Sequence, residues 1–546
     1  MIKESIKEVT LSFSEQMAEA VRACRAGETQ LIELPAGVHH IVPDYLAEKY
    51  CNISNHDSGM KRMLFDLEGL ENIIVEGNGA ELIFHGRVIP FYLKDCKNIT
   101  IRNLKIDWDR PFLSQAEIVA VGEGYLDLSF DTNFPVEVEA EHLVFTGDHF
   151  YSKKIDNLLE FDAQTRAPAA GARDNFGFRD GSRAESLGTG LVRLFSAYNP
   201  DNTFTVGNLV VIKHEQRWSP SIVLIDTDST TLEAIDIYHS GGMGVIAQTC
   251  RDVHLRQVRV LCRPDSGRVF SVFVDAFHFV DCLGHVSIED CVMEGQMDDA
   301  VNIHGAFLRP EPAPLTNTLR LRIMHHQQWG VQNLKTGDTA GFFCARTLNP
   351  LFEANIVKAE MLNCEIIEVT FDWLPDELDL EQLLVMRAEY DFNVLIKNCT
   401  MRDNRSRGVL FNAYGACRII DSHFRTPWQA VRVSGAVDGK WHESGPSQYI
   451  EVSGCTFERC GYATGRPVIE VTAHSFPDGK SEPYHQKVIV RENQFELVHT
   501  NLLAVDNLGV LDFYSNEIQS EVSASLNVGP HVGLGRVEGV EVVSDD

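Results

Sequence analysis

No stretch of this 546-residue chain approaches the ~20 consecutive apolar residues that a bilayer-spanning helix needs, which excludes a helical membrane span. Positive charge is also scarce: Lys and Arg number 48 against 78 Asp and Glu, for a net charge of −30. A surface of that sign repels phosphate backbones, so nucleic acid is not an expected partner, and without a span neither is a membrane. The thirteen cysteines are odd in number and scattered, with no CxxC pair and no zinc-like cluster. Cys291, Cys399 and Cys455 fall at matching places in apolar segments and are expected as small core residues in a reducing compartment. No metal or other cofactor is expected. The opening Met1-Ile-Lys-Glu-Ser-Ile-Lys-Glu8 lacks the basic-then-apolar order of a signal peptide. As written the chain is expected in the cytoplasm, and in the periplasm or outside the cell if a leader was removed.

What the chain does contain is a repeat. An alternating apolar segment is followed by Asn, Asp or Gly and then a second short apolar segment. It recurs at 98–106, 285–293, 393–401, 418–424, 449–457 and 488–495. Period-two alternation marks strands, and the corner residues are those that tolerate left-handed backbone. Uninterrupted spacings of roughly 22–25 residues match one turn of a right-handed parallel β-helix, whose stacked turns lie about 4.8 Å apart. Ser14 to Arg25, with Met17, Ala20, Val21 and Cys24 on one face, predicts an amphipathic helix covering the first turn. Longer alternating strands interrupt the rhythm, such as 125–130 and 204–212, then 318–323 and 365–371, with a Gly/Ala/Arg-rich stretch from Thr165 to Gly190 expected as a loop. The expected fold is all-β: a β-helix in parts 1–110, 223–310 and 391–546, with β-barrel-like insertions at 111–222 and 311–390.

Within the repeat, Asp275-Ala-Phe-His-Phe279 aligns residue for residue with Asp299-Ala-Val-Asn-Ile303, 24 residues on, and Asp298 immediately precedes the second copy. Asp275 and Asp299 are therefore expected to stack on adjacent turns, with a corner turning both outward. Like charges that close need a shared proton, cation or water. Asp298 leaves the chain in another direction. Inverting glycoside hydrolysis needs a carboxylic acid at the leaving oxygen and carboxylate holding a water ~6.5–9.5 Å away, a demand these three fit. A calcium site is the alternative, but few other carboxylates or carbonyl-rich loops lie nearby in sequence. Two further segments, 429–433 and 467–471, fit the template and place His278, Asn302, Arg432 and Glu470 in one outward-facing column. His304, Arg407, Trp441 and Glu443 add hydrogen bonds and an apolar face for a sugar ring. Trp441 lies in a loop that lengthens one turn to 38 residues, a suitable groove wall. Trp108 and His239 are expected in the core or at the groove edge.

Several phrases resemble glycoside hydrolase family 110, the α-1,3-galactosidases. They are Val75-Glu-Gly-Asn-Gly-Ala80, Ile106-Asp-Trp-Asp-Arg-Pro111, Arg263-Pro-Asp-Ser-Gly-Arg268, Asp298-Asp-Ala-Val-Asn-Ile-His-Gly305, Gly337-Asp-Thr339 and Trp441-His-Glu-Ser-Gly-Pro446. The resemblance implies a β-helix with two barrel insertions and an inverting exo-enzyme that removes terminal α-1,3-linked galactose. It implies Asp298 as the acid and Asp275 with Asp299 as the water-holding pair. An oligosaccharide is then the expected partner, with a homo-oligomer left open. One alternative is a polygalacturonase-like hydrolase, but its Gly-His-Gly turn and Arg-x-Lys pair have no counterpart, Arg405-Ser-Arg407 being nearest. The other is a non-catalytic glycan-binding β-helix, which would not need three clustered aspartates.

Overall fold

The computed structural model describes residues 11–172, 174, 176–179, 181–196, 204–388, 391–435, 437, 441–473, 483–499, 501–520, 523–529 and 531–544. The opening octapeptide, parts of the Thr165–Gly190 stretch and residues 438–440 of the tryptophan loop lie outside these. Helix α1 (Phe13–Arg25) begins at a capping box: Ser12 Oγ accepts from Glu15 N, and Glu15 Oε2 accepts from Ser12 N at 2.8 Å. Its Met17, Val21 and Cys24 are buried against the first coil, covering an end whose backbone would otherwise be open. No helix among the described residues is long and apolar enough to cross a membrane.

The body is a right-handed parallel β-helix. Nine strands of one wall carry the site: β1 (Gly59–Asp66), β2 (Val88–Lys94), β3 (Ile222–Ile225), β4 (Val245–Gln248), β5 (Phe277–Val280), β6 (Val301–Ala306), β7 (Val409–Asn412), β8 (Val431–Gly435) and β9 (Ile469–Ala473). Each pairs in parallel with the next in chain order. A second wall runs from Leu31–Glu33 to Val532–Val537 and a third from Val38–Ile41 to Glu517–Ser520.

The corner between the second and third walls takes positive φ at Asp290, Asn398, Asp421, Gly454, Glu492 and Ser515. Glu492 and Ser515 depart from the expected Asn, Asp or Gly, and the residue after each explains why. That next position points inward and forms a column, Cys291, Cys399, Ser422, Cys455, Asn493 and Asn516. In it Asn493 Oδ1 accepts from Cys455 N at 2.9 Å, while its Nδ2 donates to Val452 O and Asn516 Oδ1, both at 3.0 Å. The asparagine is used inside, leaving the corner to its neighbour. The three cysteines are buried as expected, and all thirteen are free. Replacing Asn493 by Ala is expected to cost about 1–3 kcal/mol, because two backbone groups lose partners in a dry interior. A denaturant midpoint equal to wild type would show that the column contributes nothing.

The first insertion is a six-stranded antiparallel sheet, from Leu113–Gly122 to Leu209–Lys213, with a three-stranded sheet beside it. Its last strand starts at Leu209 and not at Phe204, because Gly207 (φ 91°) sits in a preceding turn. The second is a six-stranded antiparallel barrel from Arg309–Pro312 to Leu383–Arg387, closed by reciprocal Leu308–Val385 backbone bonds. Leu321, Phe342, Val369 and Val385 fill it. Trp108 and His239 are core residues: Trp108 Nε1 donates to Gly86 O at 2.9 Å and His239 Nε2 accepts from Phe112 N at 2.9 Å.

Candidate active site

The corner segments entering β5, β6, β7 and β8 stack with small residues at one position, Ala276, Ala300, Gly408 and Ala430. Their backbones pair turn to turn, Ala276 N to Asp299 O at 3.1 Å and Ala300 N to Arg407 O at 2.9 Å. A Cβ on Gly408 would lie 2.4 Å from Ala430 O, so only glycine lets this turn stack so closely. The residue just before forms the functional column: Asp275, Asp299, Arg407 and Gln429. None of these is inside a strand, and both carboxylates lie along the stack. Asp275 Oδ1 accepts from Asp299 N at 3.1 Å, and Asp299 Oδ1 accepts from Arg407 N at 3.0 Å. The guanidinium of Arg407 donates to Asp299 Oδ2 at 2.8 Å. Asp298 is out of this column. It accepts from Arg405 Nη1 at 2.9 Å, with Arg217 at 3.7 Å. One oxygen from each of Asp275, Asp298 and Asp299 lies within 4.8 Å of the others.

These carboxylates open into a 290 Å³ pocket, shared with Asn55, Arg217, Asn302, Arg407, Leu410, Asn412, Arg432, Ser434, Trp441, His442 and Glu443. Asn302, Arg407, Arg432, Trp441 and Glu443 are thus brought together as expected. Trp441 has one face on His325, with ring centroids 3.6 Å apart. Asn302, Leu410, Arg432 and Glu470 are in register on β6 to β9, with Leu410 an additional member. Glu470 is not among the pocket-lining residues and pairs with Arg432 Nε at 3.2 Å.

One expectation needs correction. His278 and His304 were expected to bind substrate, yet they are 0% and 1% exposed and stand behind Asp275. The segment carrying Glu443 pairs antiparallel with Gly305 and Ala306 and roofs this part of the groove. Asp298, the expected acid, lies among cations. In the ligand-free site burial would raise its pKa, but Arg405, Lys213, Arg217 and Arg407 outweigh burial and hold the carboxyl below its ordinary value. Asp275 is pushed up to about 8 by burial and then by the charge of Asp298, which favours its protonated form. Asp299 is raised to about 6, with burial and its two acidic neighbours opposed by Arg407. The arginines also bear on the calcium alternative, since they already supply positive charge to the oxygens a cation would need.

Arg217, Lys213, Asn55, Asn404 and Asp174 were not expected at the site, and Arg405 was named only as the nearest counterpart of an Arg-x-Lys pair. Asn404 Nδ2 bridges the two corners, donating to Asp298 O at 3.0 Å and Arg407 O at 2.7 Å. Asp174, from the first insertion, grips Arg405 on the side away from Asp298. Only the Asn404–Arg407 group carried a signal: Arg407-Gly-Val-Leu-Phe411 fits the same template as Asp299-Ala-Val-Asn-Ile303.

Two buried carboxylates and a partly exposed third in one pocket, balanced by arginines and walled by a tryptophan on a β-helix, define a carboxylate-dependent glycoside hydrolase. Residues 114–210 match the GLAA-B beta-barrel domain I family and residues 318–384 the GLAA-B beta-barrel domain II family. The chain is 32% identical to alpha-1,3-galactosidase A of Shewanella woodyi, over 92% of this chain and 82% of that protein. It is 27% identical to alpha-1,3-galactosidase A of Bacteroides fragilis, over 95% of this chain and 86% of that protein. The chain belongs to glycoside hydrolase family 110, the α-1,3-galactosidases. Among solved structures, the mannuronan C-5 epimerase A-module of Azotobacter vinelandii is similar at a TM-score of 0.41 and 10% identity, covering 100% of this chain and 98% of that one.

Proposed function

We propose that the protein removes terminal α-1,3-linked galactose from blood-group-B-like or linear glycans, as an exo-enzyme that inverts the anomeric centre. The relatives' activity supports the linkage and the sugar. The 290 Å³ pocket, at the small end of the ~300–1,000 Å³ of ligand sites, supports removal of one ring at a time. The observation that carries the mechanism is the stack: Asp275 and Asp299 are held on one line by successive backbone N–H groups, so both oxygens can grip one water. Asp298 takes the donor role by reach. Its side chain is 20% exposed against 6% for Asp275 and 4% for Asp299, so it faces the side where the leaving group departs. The nearest oxygens of the three lie within 4.8 Å of one another, short beside the ~6.5–9.5 Å typical of inverting carboxyl pairs and closer to the ~5–5.5 Å of retaining ones. The reading of inversion therefore rests on the paired grip on water, not on distance. Proton NMR of the first-released galactose tests it. An α-linked substrate should yield the β-anomer first, and α-galactose appearing first would make one of these aspartates a nucleophile.

A further inference from the structure

Behind Asp275 runs a chain of hydrogen bonds that the reaction as described does not use. Asp275 Oδ2 contacts His278 Nδ1 at 2.7 Å, His278 Nε2 contacts His304 Nε2 at 2.9 Å, and His304 Nδ1 contacts the Gly305 carbonyl at 3.0 Å. Its hydrogens can be placed by parity. A carbonyl only accepts, so His304 Nδ1 carries a hydrogen. One hydrogen lies between the two facing Nε2 atoms. With both histidines neutral, as the burial that lowers each of them favours, that hydrogen belongs to His278, whose Nδ1 is then bare and must accept from a protonated Asp275. A second arrangement holds the same number of protons. The Asp275 Oδ2–H bond breaks and His278 Nδ1–H forms, while His278 Nε2–H breaks and His304 Nε2–H forms. Asp275 is then ionised and receives a hydrogen bond, and His304 is a cation.

The surroundings favour the first arrangement at rest and make the second accessible. Burial raises Asp275 to about 8, lowers His278 to about 4 and lowers His304. The cation on His304 would face Glu443 Oε1 at 3.4 Å. Burial opposes ionisation of Glu443, but His304, His278 and hydrogen bonds from Asn55 and Asn302 hold its carboxyl below the ordinary value. Asp281, from the turn after β5, adds negative charge near His304. Asp298 and Asp299 on the next corner, Arg217 from the first insertion and His56 complete the charged and titratable groups around the chain of four.

We propose that His278 and His304 are a proton relay for Asp275, carrying its proton inward to His304 beside Glu443 so that Asp275 acts as a base, while Asp298, which keeps contact with solvent, draws its own proton from the solvent. It rests on the glycosidase reading above and assigns the histidines a positioning role, since neither reaches the pocket. The need is concrete. The reaction requires Asp298 protonated and Asp275 ionised, the reverse of what their immediate neighbours impose, and an internal acceptor frees Asp275 without alkaline solvent.

The experiment is a pH profile of kcat and KM for wild type, His304→Gln and His278→Gln, with histidine ¹⁵N NMR of the ligand-free wild-type enzyme. Glutamine fills the space but takes no proton. Loss of the relay should lower kcat at the optimum by ~10-fold or more and move the acid limb of kcat/KM up by about one pH unit or more, with KM within about twofold of wild type. The NMR spectrum should show His278 as the Nε2–H tautomer and His304 as the Nδ1–H tautomer. A profile merely scaled down in the variants, a raised KM with intact kcat, or a doubly protonated His278 at rest would each overturn the relay. Wild type inactive on every terminal α-galactoside would sink the functional reading instead, while the tautomers would still report on the hydrogen-bond chain.

Discussion

Asp298→Asn is expected to lower kcat on an α-1,3-linked disaccharide by ~10²–10⁴-fold, the contribution of a positioned proton donor. The same variant should lose far less on an aryl α-galactoside with an activated leaving group, which departs without needing a proton. Asp275→Asn and Asp299→Asn should slow both substrates alike, because both need the attacking water. The asymmetry follows from position. Asp275 and Asp299 share a column and are 4% and 2% exposed, whereas Asp298 leaves that column and keeps solvent contact. Equal losses on both substrates for Asp298→Asn would remove it from the donor role. A selective loss on the disaccharide for Asp275→Asn would move the role there, where the protonated form is already favoured.

Arg407→Met is expected to have the next largest effect, on stability and on pH dependence together. Arg407 holds Asp299 through Nη1 at 2.8 Å and is the main cation opposing burial there. Taking one partner from a buried ion pair costs ~3–5 kcal/mol. The lower end is expected here, because the Arg407 side chain keeps 18% of its surface and Asp299 can protonate in response. The sign of the pH effect is fixed. Removing the cation raises the Asp299 pKa above about 6, so the ionised form needed to hold water is lost at a higher pH. The acid limb of kcat/KM should therefore move upward, and the melting temperature should fall. An unmoved acid limb with lower melting temperature would mean that Asp299 does not act as a base.

How far the site could be read depended on what separated its residues. Asp275 and Asp299 were legible because a single uninterrupted turn of 24 residues joins them, and local alternation alone sets that register. Arg407 belongs to the same column one turn later, but the second barrel intervenes, pairing Val301 with Val409, so its register was hidden although its sugar-site membership was expected. Glu443 and Trp441 were flagged by an overlong turn. His278 and His304 were noticed as polar residues on apolar strands, but their role was misjudged, because exposure depends on the roof laid over them by Glu443 and Ser444.

The coil, the two interruptions and the family were legible along the chain, because they rest on short-range periodicity and contiguous motifs. So was the pair of aspartates that stack. The charge state of the site is set by tertiary contacts. Arg217 and Asp174 arrive from the first insertion, Asn55 from an early loop and Arg405 from a later corner. Their effect on Asp298 depends on distances of a few ångströms in a mostly buried site, where a single guanidinium changes which carboxyl favours the proton. No pattern along the chain encodes those distances, because they are set by how the first insertion packs on the coil.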